Sequence, residues 1–199
     1  MTATEDATAP NRLSGSLVWA AYSLGFSVGG FFDGILLHQV LQWHHLLSGI
    51  QDSPFDDLRV QIFADGLFHT LMYLIGAVGL FLLVKARREL SLPSAGRVLM
   101  AGSLIGFGAW HVLDSVLSHW ITGIHRIKMD SDTPLLWDLI WFVAFGLIPL
   151  LIGWNMRPNG TSGPATSGRV TALLLVTIVL GAAPISALPP KDVTGAIVL

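Results

Sequence analysis

Long apolar runs alternate with short polar stretches along the chain. Five of the runs, near Leu17–Leu37, Ile62–Val84, Val98–Leu117, Leu135–Trp154 and Val170–Ala187, come close to or exceed the roughly 20 mostly apolar residues that cross a bilayer. Helices of a soluble protein would carry polar faces, and these runs carry few. The pattern predicts an all-α integral membrane bundle of five transmembrane helices. The polar stretches divide it further. Residues 1–14 read as a disordered cytoplasmic tail, 15–155 as a four-helix core, 156–168 as a Gly/Ser/Pro linker, and 169–199 as the fifth helix with a short tail. One stretch breaks the pattern. "DGILLHQVLQWHH", Asp33–His45, puts an aspartate and three histidines where the surroundings are hydrocarbon-like.

Composition sharpens this reading. The chain is 52% hydrophobic and 12% charged, and it has no cysteine, which excludes disulfides and thiolate metal sites. Its start, "MTATEDATAP", lacks the basic region of a secretory signal, so the first run is expected to remain as a span. Basic residues form no stripe, so nucleic acid is not an expected partner; the lipid bilayer is. Lys and Arg set the orientation. With the N-terminus cytoplasmic, the inner set is Arg12, Lys85, Arg87, Arg88, Arg97, Arg157 and Arg169, against Arg59, Arg126, Lys128 and Lys191 outside. The expected location is a bacterial cytoplasmic membrane, with the N-terminus inside.

The chain also matches itself. Shifted by 81 positions, Leu24–His45 falls on Ile105–Arg126: Gly25 meets Gly106, Asp33 meets Asp114, His38 meets His119 and His44 meets His125. Both copies read D-x4-H-x5-H. Asp65 and Asp138 open the following runs in a fainter echo. Spans 1–2 and 3–4 therefore read as a parallel internal repeat, an arrangement that builds sites between its copies. His69 and His111 face Phe142 and Gly30 in the alignment and have no counterpart, which points to one asymmetric site. The repeated glycines read as packing positions that bring spans 1 and 3 together.

On the expected topology all seven histidines and four aspartates, Asp33, Asp65, Asp114 and Asp138, fall at one depth, in the outer half of the bilayer. Ionisable groups inside a span are costly and suggest function. Imidazole with carboxylate is a donor set for Zn, Fe or Cu. The expected ligands are His38, His44, His69, His111, Asp114, His119 and His125. Asp33, Asp65 and Asp138 are expected behind them, accepting the second ring N–H of a histidine. Asp33 and His38 lie five apart, about 140° around a straight helix, and cannot share an ion unless the helix is distorted. His45 reads as a headgroup contact, and most tryptophans as interface belts. A proton or ion pathway is disfavoured because the inner half has no matching polar residues, and haem because its ligation does not call for four aspartates. The expected metal is copper, with zinc or iron as alternatives. The expected function is a membrane metalloprotein, with a copper-dependent oxidoreductase acting on a small or lipid-soluble substrate as the first reading and metal-assisted hydrolysis second. The alternatives are a copper-handling assembly factor for a respiratory oxidase, or a proton- or ion-conducting subunit.

The motifs "GFFDGILLHQVLQWHH", "DGLFHTLMY", "WHVLDSVLSHWITGIHRIK" and "LWDLIWFVAFGLIPLLIGW" together resemble a family of bacterial multi-pass membrane proteins over about residues 14–155. That family is catalogued as a domain of unknown function, in the two-thousand-two-hundred-forties of its numbering. The resemblance implies an inner-membrane protein and, through relatives associated with cytochrome oxidase assembly, copper handling.

Overall fold

The computed structural model describes residues 13–157 and 168–186. Among these residues there is no strand. Helix α1 (Gly15–Asp33) runs directly into a π-helical segment, Gly34–Val40. Helix α2 (Leu58–Lys85) follows, then a short 3-10 turn, Arg87–Ser91. Helix α3 (Ala95–Asp114) again runs into a π-helical segment, Ser115–Ile121. Helices α4 (Pro134–Trp141) and α5 (Ile148–Met156) form one rod through a third π-helical stretch, Phe142–Leu147. Helix α6 covers Gly168–Ser186.

Four rods are long and apolar enough to cross a membrane: Gly15–Val40, Leu58–Lys85, Ala95–Ile121 and Pro134–Met156. They start a few residues earlier than hydropathy alone suggests, and at α2 a polar side chain closes the end. The Asp57 carboxylate accepts the Arg59 backbone N–H at 2.8 Å, capping α2. Pro134 opens α4, where its missing N–H costs nothing. The fifth expected span lies on α6, whose shorter apolar stretch is Arg169–Ile178. Its expected end at Ala187 lies outside the described residues, as do most of the expected tail and linker and the chain's last residues.

Helix α1 packs against α2 and α3, α3 also packs against α5, and α6 rests on α1 and α3. Glycine allows the closest approach. A Cβ on Gly25 would strike the Ser103 backbone, and one on Gly106 would strike the Tyr22 backbone. These two contacts are reciprocal across the α1–α3 crossing, since Ser103 and Tyr22 are also 81 residues apart. An apolar cluster around Leu17, Ala20, Leu24 and Leu99 fills one end of the bundle. Phe31, Phe68 and Met72 fill the middle, and Leu37, Ile127 and Trp141 lie under the loops at the far end. Phe63, Leu74 and Phe81 on α2 face outward and apolar, as lipid-facing positions do.

Candidate metal centre

The far end of the bundle begins where the two π-helical segments begin. An α-helix pairs residue i with i+4, whereas a π-helix pairs i with i+5. The wider turn supplies the distortion that a straight helix lacks, and it brings residues five apart onto one side. Asp33 thus meets His38, and Asp114 meets His119. Both segments close alike. Leu41 N donates to Leu36 O at 2.8 Å, and Thr122 N to Leu117 O at 2.9 Å. The next residue in each copy, Gln42 at φ 53° and Gly123 at φ 66°, is left-handed and turns the chain back over the helix end. This turn carries His44 and His125 over the helical pairs.

Two triads result: Asp33, His38 and His44, and Asp114, His119 and His125. Within each, one donor atom per residue lies within 4.8 Å of the others. None of the six residues is more than 4% exposed. His119 Nε2 lies 3.1 Å from Asp114 Oδ2, and His125 Nε2 lies 3.5 Å from Asp114 Oδ1. The rings of His38 and His44 stand 4.8 Å apart at 69°; those of His119 and His125 stand 4.9 Å apart at 69°. The triads abut through His44 and His125, whose rings stack at 4.5 Å and 6°.

The two turn imidazoles are held by their Nδ1. His44 donates to the Ile127 carbonyl at 2.9 Å, and His125 to the Leu46 carbonyl at 2.9 Å. The two bonds cross, so each ring is anchored by the other copy's loop. A carbonyl only accepts, so Nδ1 carries the proton in both rings and a neutral ring keeps a lone pair on Nε2. Burial, together with the neighbouring His125 and His38 rings, holds the His44 imidazole well below its ordinary pKa and therefore neutral. His38 Nδ1 approaches Asp65 Oδ1 at 3.0 Å, and His119 Nδ1 approaches Asp138 Oδ1 at 3.2 Å. Those two carboxylates are fixed in turn. Leu46 N donates to Asp65 Oδ1 at 2.8 Å, and Ile127 N to Asp138 Oδ1 at 3.0 Å. The remaining oxygens take His45 Nδ1 at 2.6 Å on Asp65 and Arg126 Nη1 at 2.7 Å on Asp138.

Several buried polar atoms lack a hydrogen-bond partner, among them His69 Nε2, His111 Nε2 and Ser115 Oγ outside the triads, and five of them are potential donor atoms of the triad residues. These five are Asp33 Oδ1, His44 Nε2, Asp114 Oδ2, His119 Nε2 and His125 Nε2. Each such atom costs about 1–3 kcal/mol if nothing meets it. All five can be electron-pair donors, and a cation would satisfy them together.

The sequence family described as "Predicted membrane protein (DUF2243)" matches residues 20–160. The chain belongs to this family. No curated protein and no solved structure matches it. Family membership and the four apolar rods place this DUF2243 protein in a lipid bilayer.

Within this DUF2243 chain the expected site residues separate into groups. His38, His44, Asp114, His119 and His125 converge. Asp65 and Asp138 lie outside the triads, against His38 and His119. Asp33, expected behind a histidine, joins a triad instead: Trp110 Nε1 donates to its Oδ2 at 3.3 Å, and its Oδ1 has no hydrogen-bond partner among the described residues. His69 and His111 belong to neither triad. His111 Nδ1 accepts from Trp141 Nε1 at 3.1 Å, so in the neutral ring its Nε2 carries the proton and offers no lone pair. His69 sits against Gly34, with its ring stacked on Phe31. His45 is not a headgroup contact, because it is 9% exposed and its Nδ1 is turned onto Asp65. Trp110 was missed altogether as a site residue; nothing in a tryptophan-rich membrane sequence distinguishes it.

Proposed function

We propose that this protein is an integral membrane metalloprotein that holds divalent transition metal in the two His/Asp triads. The observation that carries this reading is the set of five buried donor atoms without partners, Nε2 of His44, His119 and His125 and one carboxylate oxygen each of Asp33 and Asp114, with the His44 and His125 rings fixed through Nδ1. Fixing Nδ1 on a carbonyl or carboxylate sets the tautomer and aims Nε2, as in known metal sites. Charge supports it as well. Four buried carboxylates meet one permanent cation, Arg126, within the hydrogen-bonded group, and buried charge calls for compensation. Metal–nitrogen bonds of about 2.0–2.1 Å put ligands of one ion roughly 3.3 Å apart, so donors spread over 4.8 Å need only a small contraction.

Two imidazoles and a carboxylate suit zinc, iron or copper, and copper ranks highest in the affinity order. We assign copper. The anchoring favours a resident ion over one in transit, because both turn imidazoles are hydrogen-bonded through Nδ1 and every donor residue is buried. A resident redox-active ion at this depth serves an oxidoreductase acting on a small or lipid-soluble substrate; copper delivery to a respiratory oxidase is the rival reading. The matching contacts in the two halves support reading spans 1–2 and 3–4 as a parallel repeat, with α6 as a fifth span. The Lys/Arg distribution supports a cytoplasmic N-terminus in a bacterial cytoplasmic membrane, with the triads toward the outer face.

Copper titration of the purified full chain in detergent tests this. Wild type should retain copper through dialysis against a weak chelator and exchange it slowly. His38→Ala and His119→Ala should each lose affinity at least tenfold, and His111→Ala should retain it. A wild-type chain that binds no copper or zinc contradicts the reading, and rapid complete release to the chelator favours delivery.

A further inference from the structure

We infer that the centre is dinuclear, with one divalent ion in each triad and the two ions adjacent. The inference rests on the metalloprotein reading above and settles what that reading leaves open, whether the triads share one ion. The deciding observation is the stacked pair of rings. An imidazole lone pair lies in the plane of its ring. The planes of His44 and His125 are 6° from parallel, and the ring centroids are 4.5 Å apart. An ion midway between the rings would lie roughly 2 Å out of both planes, as far as an entire metal–nitrogen bond of about 2.0–2.1 Å. His44 and His125 therefore cannot aim at one ion. Each instead completes its own set, His44 with Asp33 and His38, His125 with Asp114 and His119.

The sets are complete in the same way. Each has one carboxylate, one imidazole from a π-helical segment and one from the turn that follows. Each has its own braces, Asp65 and the Ile127 carbonyl for the first, Asp138 and the Leu46 carbonyl for the second. Three protein donors leave an open position on each ion, the arrangement of catalytic rather than structural sites. The ring centroids of His44 and His125 stand 4.5 Å apart, so the triads abut and ions held in them are neighbours. Buried charge does not discriminate, because one ion or two would each leave a net charge of one unit. The doubled donor set and the parallel rings make the decision.

Copper(II) loading of the full chain in detergent tests the inference through stoichiometry and electron paramagnetic resonance. Wild type should saturate at two copper ions per chain, with a spectrum broadened or diminished by spin–spin interaction. Asp33→Asn and Asp114→Asn should each saturate at one ion and show an isolated copper(II) signal integrating to one spin. Should either variant fail to elute as folded protein, His44→Gln and His125→Gln repeat the test on the other donors. Saturation of wild type at one ion overturns the inference while leaving the metalloprotein reading intact. Two ions with non-interacting spectra overturn the adjacency. No binding at all overturns both.

Discussion

Around Asp65 the second carboxylate oxygen takes a histidine, His45; around Asp138 the equivalent oxygen takes Arg126. The two triads are otherwise braced alike, down to the crossed carbonyl bonds of His44 and His125. They differ again at the carboxylate that enters the triad. Asp33 is steadied by the Trp110 indole, whereas the position 81 residues before Trp110 is Gly29, so no equivalent indole steadies Asp114. Its oxygens face His119 and His125 directly. The comparison separates two jobs. Contacts shared by both halves hold the imidazoles and define the donor geometry. Contacts that differ set the charge of each half, because the Arg126 guanidinium brings a permanent positive charge to Asp138 alone.

The comparison breaks most severely when the bracing carboxylates are removed. Asp138→Ala strands the Arg126 guanidinium, the Ile127 N–H and the His119 ring together, and should cost about 3–5 kcal/mol, as losing one partner of a buried ion pair does. The Arg126 side chain is 38% exposed, which keeps the loss toward the lower figure. Asp65→Ala should cost less, about 2–3 kcal/mol, because it strands ring and backbone N–H groups and no permanent cation. Unfolding in a detergent titration measures both, and a larger loss for Asp65→Ala would remove the distinction drawn between the halves.

A milder change sharpens the same contrast. Trp110→Phe keeps an aromatic ring against Phe26 and Phe68 but removes the N–H that reaches Asp33. Loss of a bond to a ligand's outer oxygen typically alters metal affinity by about 10–100-fold. The first triad should shift by that amount and the second should not. Metal titration with Asp33→Asn and Asp114→Asn as references assigns the shift, and equal weakening of both triads would show that the indole acts through the whole bundle.

The layer of ionisable residues was legible in the sequence because membrane spans leave polar residues conspicuous, and because D-x4-H-x5-H occurs twice. What could not be read was the helix phase beyond Asp33 and Asp114. A straight helix separates Asp33 from His38 by about 140°, which made Asp33 look like a bystander. The π-helical turn at Gly34–Val40 removes that separation. The same change of phase, followed by the left-handed Gln42, turns His45 inward onto Asp65, although its alignment with Arg126 suggested a headgroup contact. Arg126 itself turns inward, onto Asp138. His69 and His111 drew attention because they sit within spans. The signal against them was already present: neither has a counterpart 81 residues away that can bind metal, whereas every triad member does. That absence suggested one asymmetric site, and the structure instead builds two triads of the same composition, with the asymmetry confined to their surroundings.

Anomalous diffraction from crystals of the copper-loaded full chain tests the central claim most directly. The account predicts a copper peak in each triad, about 2.0–2.1 Å from the Nε2 atoms of His44 and His125 respectively, with Asp33 and Asp114 in contact. A loaded crystal with no peak within bonding distance of either ring, and copper found only on surface groups, would contradict it.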